Sequence, residues 1–377
     1  MIAIPARLTV AQLIPALDSG GAERCVVDVA QAVVRAGHRS LVISAGGRLT
    51  EELVAGGSEH IARRIGRKSP FVLREAMWLR SFVQAEKIDL IDIHSRVPAW
   101  AAWLAFGMGQ QKPRPALVTT VHGFNRPGFY SRIMTRGDVV IAVSDAVRTF
   151  LQTHYGEGTQ DCVTVIPRGV NTEAFAWQRQ VDSEWRERFF QEFPECRHRH
   201  LLTLPGRLTR GKGHRDLLRL VSRLQQRGHS VQGLCVGSGD GHSGYVRELQ
   251  SMAGNLGIAD RVSFTGVRND LPEIYAASSL VLSLSTKPES FGLVVAEALS
   301  MGRPVVGYAH GGVAEQLRIS FPQGAVQPGN LQQLEDRVSA ILSGHTSPPT
   351  APQTIGTAEM TGKTVAIYER LVGQRCL

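Results

Sequence analysis

Short runs of β-branched and aliphatic residues alternate with amphipathic helical stretches along almost the whole chain. No other feature restricts the fold as strongly. In the first half the expected strands are "LTVAQLI" (8–14), "SLVISAG" (40–46), "DLIDIH" (89–94), "ALVTTVHG" (116–123), "VVIAVS" (139–144) and "VTVIP" (163–167). Helical stretches such as Ala22–Ala36 and Arg74–Glu86 separate them. Strands that are apolar on both faces and alternate with helices build a parallel sheet covered on both sides. The alternation lapses at residues 171–200, which are polar, spotted with aromatics and poor in strands. It resumes with "LLTLPGR" (201–207), "VQGLCVGSG" (231–239), "RVSFTG" (261–266), "LVLSLS" (280–285), "PVVGY" (304–308) and "GAVQP" (324–328). The expected fold is α/β, with two doubly wound, Rossmann-like domains and a boundary near 171–200. The domains are drawn at 1–175 and 176–355. "SGHTSPPTAPQT" (343–354) reads as a linker and "AEMTGKTVAIYERLV" (358–372) as a closing helix.

In open α/β sheets ligands lie beyond the carboxyl ends of the strands, and two facing sheets make an inter-domain cleft. The polar and glycine residues at strand ends are therefore the candidates. The formal net charge of +9 favours anionic ligands or surfaces without choosing among phosphates, nucleic acid and an acidic membrane face. Five cysteines without a C-x-x-C give neither a disulfide framework nor a zinc knuckle, and fit a reducing, cytosolic setting. The start of the chain lacks the charged and apolar regions of a signal peptide. The longest apolar stretch, "PAWAAWLAFGMG" (98–109), is too short to span a bilayer. A soluble or at most peripheral protein is expected.

"DSGGAER" (18–24) joins the first strand to the first helix. Gly20 and Gly21 let backbone N–H groups approach an anion at the helix start, or make an ordinary tight turn. The glycine spacing is not that of a dinucleotide fingerprint, which argues against a nicotinamide-dependent oxidoreductase. "PGRLTRGKGH" (205–214) is the equivalent junction in the second half, where Arg207 and Lys212 suit a pyrophosphate. His122 and Gly123 end a strand, and Arg168 and Gly169 follow the last strand of the first half.

In "PESFGLVVAEALSMGRPVVG" (288–307), Glu289 and Glu297 stand eight residues apart. In a continuous helix that is about 12 Å, too far for two carboxylates flanking one glycosidic bond. They suit instead an elongated ligand gripped at two points, with the N–H groups of Phe291, Gly292, Leu293 and Val294 between them for an anion. A sugar–diphosphate–nucleoside has that layout. No D-x-D and no metal-spaced His/Cys cluster occurs, so the expected chemistry uses no metal and no cofactor.

"ESFGLVVAEAL" with the Glu-x7-Glu spacing, followed by "GRPVV" and "GGVAEQL" (311–317), resembles the donor-site signature of the retaining GT-B glycosyltransferases of family 4. "GGAER", "HG", "VSDAVRTFL", "VIPRGVNTEAF", "GRLTRGKGH", "VGSGD" and "RVSFTGVRNDLPEIYAASSLVLSLS" occur in that family's order, over roughly residues 10–320. The wider texture, including "VISAGGRLTEEL" and "SRVPAWAAWLA", resembles bacterial lipopolysaccharide-core and related envelope sugar transferases. The resemblance implies a GT-B fold with the acceptor on the first domain and a nucleotide diphosphate sugar, expected to be a UDP-sugar, on the second. Arg207 and Lys212 would hold the diphosphate, Glu297 the ribose and Glu289 the transferred hexosyl unit. Phe291, Gly292 and Leu293 would add backbone contacts, and Gly266, Val267 and Arg268 would border the base. His122 would lie at the reacting centre, Gly20 and Gly21 in a loop over the diphosphate, and Arg24 and Arg168 on the acceptor side. The closing segment, 356–377, would cross back to the first domain.

The family often has Asn-Gly-Val-Asp where this chain has Arg168-Gly169-Val170-Asn171. An arginine there suits a phosphorylated acceptor. The stretch "HIARRIGRKSPFVLREAMWLRSF" (60–82) holds six basic residues against one acid. It fits either contact with anionic lipid on the cytoplasmic face of the inner membrane or a solvated helix face packed by its aromatics. No aromatic-basic recognition motif supports nucleic-acid binding. The expected partners are thus the sugar nucleotide and a glycan or glycolipid acceptor; the alternative is a non-catalytic nucleotide-sugar binding protein.

Overall fold

The computed structural model describes residues 7–18, 20–67, 72–107, 114–156, 162–239, 241, 243–349 and 355–374. Ser19, residues 68–71 of the basic stretch, residues 108–109 of the apolar one, Asp240 and residues 350–354 of the expected linker lie outside the described residues. The chain divides into two compact units. One comprises Met1–Gly169 with Thr357–Leu377, the other Val170–Gly356.

The first unit is built on a parallel sheet of β1 (Thr9–Leu13), β2 (Arg39–Ser44), β3 (Glu59–Ala62), β4 (Leu90–Ile93), β5 (Ala116–Val121), β6 (Val139–Ala142) and β7 (Val163–Val165). Their order is β3-β2-β1-β4-β5-β6-β7. β4 and β5 are buried along their whole length, as Leu-Ile-Asp-Ile and a β-branched run between two helical layers should be. Six of the seven strands coincide with the expected ones. β3 was not expected: its residues Glu59-His60-Ile61-Ala62 lie at the sheet edge, half-exposed or exposed throughout, so no apolar run marks it. The helix Gly21–Arg35 buries Cys25, Val26, Val27, Val29, Ala30 and Val33. The terminal helix Thr357–Gly373 packs beside it and buries Met360, Thr364, Val365 and Tyr368.

The second unit carries β8 (His200–Pro205), β9 (Val231–Val236), β10 (Val262–Gly266), β11 (Leu280–Ser283), β12 (Val305–Tyr308) and β13 (Ala325–Val326). This sheet is also parallel, in the order β10-β9-β8-β11-β12-β13. The strand-poor stretch 171–200 belongs to this unit. Its helix Ser183–Glu192 starts where Asp182 accepts a hydrogen bond from Trp185 N, and Trp185, Phe189 and Cys196 bury themselves against Leu201, Leu234, Val236 and Ile274. The scattered aromatics are the apolar face of a covering layer.

In each sheet the winding direction reverses between two strands, β1 and β4 in the first and β8 and β11 in the second. Loops diverge there and leave room for a ligand beyond the strand ends. Gly20, Arg207, Lys212 and Glu289 lie on those loops, and Gly21 begins the helix that follows β1. His122 follows the neighbouring β5, and Gly266–Arg268 end and follow β10. Among the described residues no helix is long and apolar enough to cross a membrane.

Candidate active site

In the unit Val170–Gly356 the chain leaves β8 through Gly206, passes the exposed Arg207, and makes a single 3-10 turn at Arg210–Lys212. Gly213 then adopts a left-handed conformation (φ 81°), and a Cβ there would stand 2.1 Å from the carbonyl oxygen of Leu284. Only glycine lets this turn lie against the end of β11. Thr286 N donates to Gly211 O at 2.9 Å, so the loops after β8 and β11 are joined. Across that junction Lys212 Nζ meets Glu289 Oε1 at 2.5 Å, and Ser285 Oγ donates to the same oxygen.

Glu289 is not helical. It makes an isolated parallel bridge with Gly311, and Gly312 N donates to its carbonyl at 2.7 Å. A Cβ at Gly312 would sit 2.4 Å from the Phe291 backbone, so the two glycines let the chain pass directly behind the loop. Phe291 is buried, Gly292 caps the helix in a left-handed conformation (φ 82°), and Leu293 begins it. The helix therefore spans Leu293–Ser300, and the separation of about 12 Å expected for an all-helical pair does not apply, because Glu289–Gly292 is not helical. Glu297 lies one turn into the helix, where Tyr275 Oη donates to its Oε2 at 3.3 Å. Burial pushes this carboxyl up to about 8, against the partial relief of the tyrosine hydrogen bond.

Gly266 has φ 70° and Val267 is exposed. Arg268 is engaged within the unit: its Nε and Nη2 grip Asp270 at 2.8 and 2.7 Å, its Nη1 reaches Glu192 at 2.7 Å, and Trp185 Nε1 donates to Asp270 at 2.8 Å. That guanidinium ties the covering layer to the sheet, and Gly266 and Val267 are the exposed residues of 266–268.

In the other unit Gly20 caps the helix Gly21–Arg35, and a Cβ on Gly21 would fall 2.4 Å from Arg168 Nη1. Arg168 therefore lies over the first turn. Its Nη2 stands 2.8 Å from His122 Nδ1, His122 Nε2 is 2.8 Å from His94 Nδ1, and His94 Nε2 is 3.1 Å from Gln12 Oε1. Asp92, buried beneath, accepts from Thr120 Oγ1 at 2.9 Å and from Tyr368 Oη of the terminal helix at 2.5 Å. Burial, then the Arg168 charge, then His94 hold the His122 imidazole well below its ordinary value. Burial also lowers His94, with Asp92 opposing it. Arg24 stands apart from this group and pairs with Glu52, Nη1 to Oε1 at 2.7 Å.

The structure thus brings expected residues together in two places, Lys212 with Glu289 and His122 with Arg168 and Gly21, while Glu297 lies in the helix that follows Glu289 and meets Tyr275. Sequence reasoning missed Ser285 and Tyr275 in one, and Gln12, Asp92, His94 and Tyr368 in the other. His94 had the same signal as His122, a histidine at the carboxyl end of an apolar strand. Tyr275 and Tyr368 had none, since only packing brings them to their carboxylates.

Residues 19–174 match the family model described as Glycosyltransferase Family 4, and residues 186–353 the one described as Glycosyl transferases group 1. An uncharacterised glycosyltransferase of Methanocaldococcus jannaschii is 26% identical over 359 residues, covering 87% of this chain and 86% of its own. The crystal structure of a glycosyltransferase from Rickettsia africae ESF-5 superposes with a TM-score of 0.85 at 26% identity, over 98% of this chain and 99% of that one. Anabaena HepE in complex with UDP shares the fold, with a TM-score of 0.72 at 24% identity over 98% of each chain.

Proposed function

Because the chain belongs to the GT-B glycosyltransferases of family 4 and group 1, we propose that it moves a hexosyl unit from a nucleotide diphosphate sugar, a UDP-sugar, to a glycan or glycolipid acceptor with retention of anomeric configuration. The donor belongs to the unit Val170–Gly356 and the acceptor to the unit containing His122. The observation that carries this reading is the Lys212–Glu289 pair at the joined ends of β8 and β11. It offers an ammonium for a diphosphate and a carboxylate for sugar hydroxyls, with Glu297 one turn into the next helix for a ribose. The UDP-bound HepE structure supports the choice of nucleotide.

In the proposed reaction the bond from the anomeric carbon to the diphosphate oxygen breaks and a bond to the acceptor oxygen forms on the same face. The acceptor's proton passes to the departing phosphate oxygen. Charge develops chiefly on the diphosphate, where Arg207, Lys212 and the N–H groups at the start of Leu293–Ser300 stabilise it without a metal. His122, kept neutral, orients the reacting hydroxyls. A thermal-shift screen of nucleotide sugars, followed by hydrolysis and transfer assays on those that bind, tests the reading. Stabilisation by a UDP-sugar, weakened in Glu297→Ala, together with hydrolysis or transfer of that sugar, is the expected result. Binding without hydrolysis or transfer to any acceptor glycan would instead make the protein a nucleotide-sugar binder.

A lipid-linked acceptor in lipopolysaccharide-core or other envelope synthesis is the extension of this proposal. Its support is a surface pocket lined by Arg63, Arg64, Arg67, Arg74 and Glu75, beside Leu73 and Met77, which are 61% and 66% exposed. Basic charge with exposed apolar side chains suits an anionic lipid surface. Arg63 is committed to Glu75 and to the face of Trp78, so Arg64 and Arg74 are the residues to reverse. Co-sedimentation with anionic vesicles that survives Arg64→Glu/Arg74→Glu would remove this extension.

A further inference from the structure

The hydrogen bonds around His122 have a fixed direction. A guanidinium only donates, so Arg168 Nη2 makes His122 Nδ1 an acceptor at 2.8 Å. The proton of a neutral His122 then sits on Nε2 and is donated to His94 Nδ1, also at 2.8 Å. His94 must in turn carry its proton on Nε2, which faces Gln12 Oε1 at 3.1 Å and Asp92 Oδ2 at 3.4 Å. Gln12 then donates its amide to Val26 O at 3.1 Å. Each link has one donor and one acceptor, and only one pair of tautomers satisfies all of them.

This string is anchored from below. Asp92 and Gln12 are fully buried and His94 nearly so. Asp92 takes hydroxyl hydrogen bonds from β5 and from the terminal helix, so a segment more than 250 positions away in sequence, as the 276-residue separation of Tyr368 and Asp92 shows, helps hold β4. A partly exposed imidazole gripped at both nitrogens cannot rotate about its χ2 without breaking two hydrogen bonds.

We propose that His94 is a positioning residue for the transfer reaction, holding His122 in its Nε2-protonated form and in one ring orientation. It touches neither donor nor acceptor and acts only through His122. The proposal rests on the reading that places His122 at the reacting centre.

Three variants in the full chain test it: His122→Leu, His94→Leu and His94→Asn. The asparagine keeps a carbonyl acceptor at the place of His94 Nδ1, and the leucine does not. Two readouts are taken on each folded variant: donor hydrolysis or transfer with the UDP-sugar that binds, and the side-chain nitrogen spectrum of 15N-histidine-labelled protein. The His122 signals are those lost in His122→Leu. Wild-type protein should show Nδ1 unprotonated and Nε2 protonated. His94→Leu should mix the tautomers and lower kcat by about 10²-fold at unchanged donor KM, the scale of losing alignment at a reacting centre. His94→Asn should restore the single tautomer and most of kcat. A wild-type tautomer and kcat in His94→Leu, or an asparagine variant no better than the leucine one, overturns the inference. If His122→Leu itself retains full turnover, the reading of the reacting centre fails instead, and the nitrogen spectra still decide whether His94 fixes the tautomer.

Discussion

Glu297 gives a quantitative prediction. Its carboxyl is pushed up to about 8 by burial, so at neutral pH the unliganded protein carries it largely protonated. If ribose hydroxyls donate to this carboxylate, nucleotide binding selects the ionised form and the two equilibria are linked. With a value of about 8, the ionised fraction rises from about a tenth at pH 7 to about nine tenths at pH 9. The affinity for UDP should therefore tighten about tenfold across that window, roughly 1.4 kcal/mol. The nucleotide's terminal phosphate loses its second proton near pH ~6, so it is largely ionised across this window and adds little to the change. Calorimetry at pH 7 in buffers of different ionisation enthalpy should show close to one proton released per UDP bound.

The stability of the unliganded protein runs the opposite way. The folded carboxyl binds a proton more tightly than the unfolded one, so between about pH 4.5 and about 8 stability falls as pH rises, by an upper limit of about 5 kcal/mol. Glu297→Gln should abolish the pH dependence of binding and make the protein more stable than wild type at pH 9 but not at pH 6. A UDP affinity flat from pH 7 to 9 in the wild type, or equally pH-dependent in Glu297→Gln, refutes the reasoning.

Lys212→Ala should lower turnover by about 10²-fold, the usual cost of losing one group that stabilises developing charge, measured as steady-state donor hydrolysis. Gly213→Ala places a Cβ 2.1 Å from Leu284 O at a positive φ, and should cost about 2–4 kcal/mol in urea unfolding together with nucleotide binding. Tyr368→Phe removes a donor from the buried Asp92, and should cost about 1–3 kcal/mol in the same assay.

The strands were legible because their signal is local: a strand buried between two helical layers is predominantly apolar, and twelve of the thirteen strands among the described residues coincide with such runs. β3 escaped because an edge strand with an exposed face has no such requirement. The tight loops around Lys212 and Glu289 left a mark in the sequence as the glycines that permit close backbone approach, Gly213 and Gly292 in the loops themselves and Gly311 and Gly312 in the segment that passes behind Glu289. What the sequence did not carry was pairing over long separations. That Lys212 would meet Glu289, that Arg268 would be consumed by Glu192 and Asp270, and that Tyr368 would reach Asp92 depend on the order of strands in each sheet and on which helix covers which face. Residues 171–200 were legible as an interruption of the pattern but not as a covering layer, because a helix with one aromatic stripe has too weak a period beside its charges.

The Lys212–Glu289 contact means that the ammonium of Lys212 already faces a carboxylate. Under the proposed function, a sugar nucleotide arriving there has to exchange partners: the ammonium leaves the carboxylate for the diphosphate, and the carboxylate turns to the sugar. Free phosphate can claim Lys212 but has nothing to offer Glu289, which would be left half-buried beside Ser285 without its cation. Under that proposal the pair would act as a filter against the abundant small anions that a basic pocket otherwise collects, and would favour a molecule that carries both a diphosphate and a sugar.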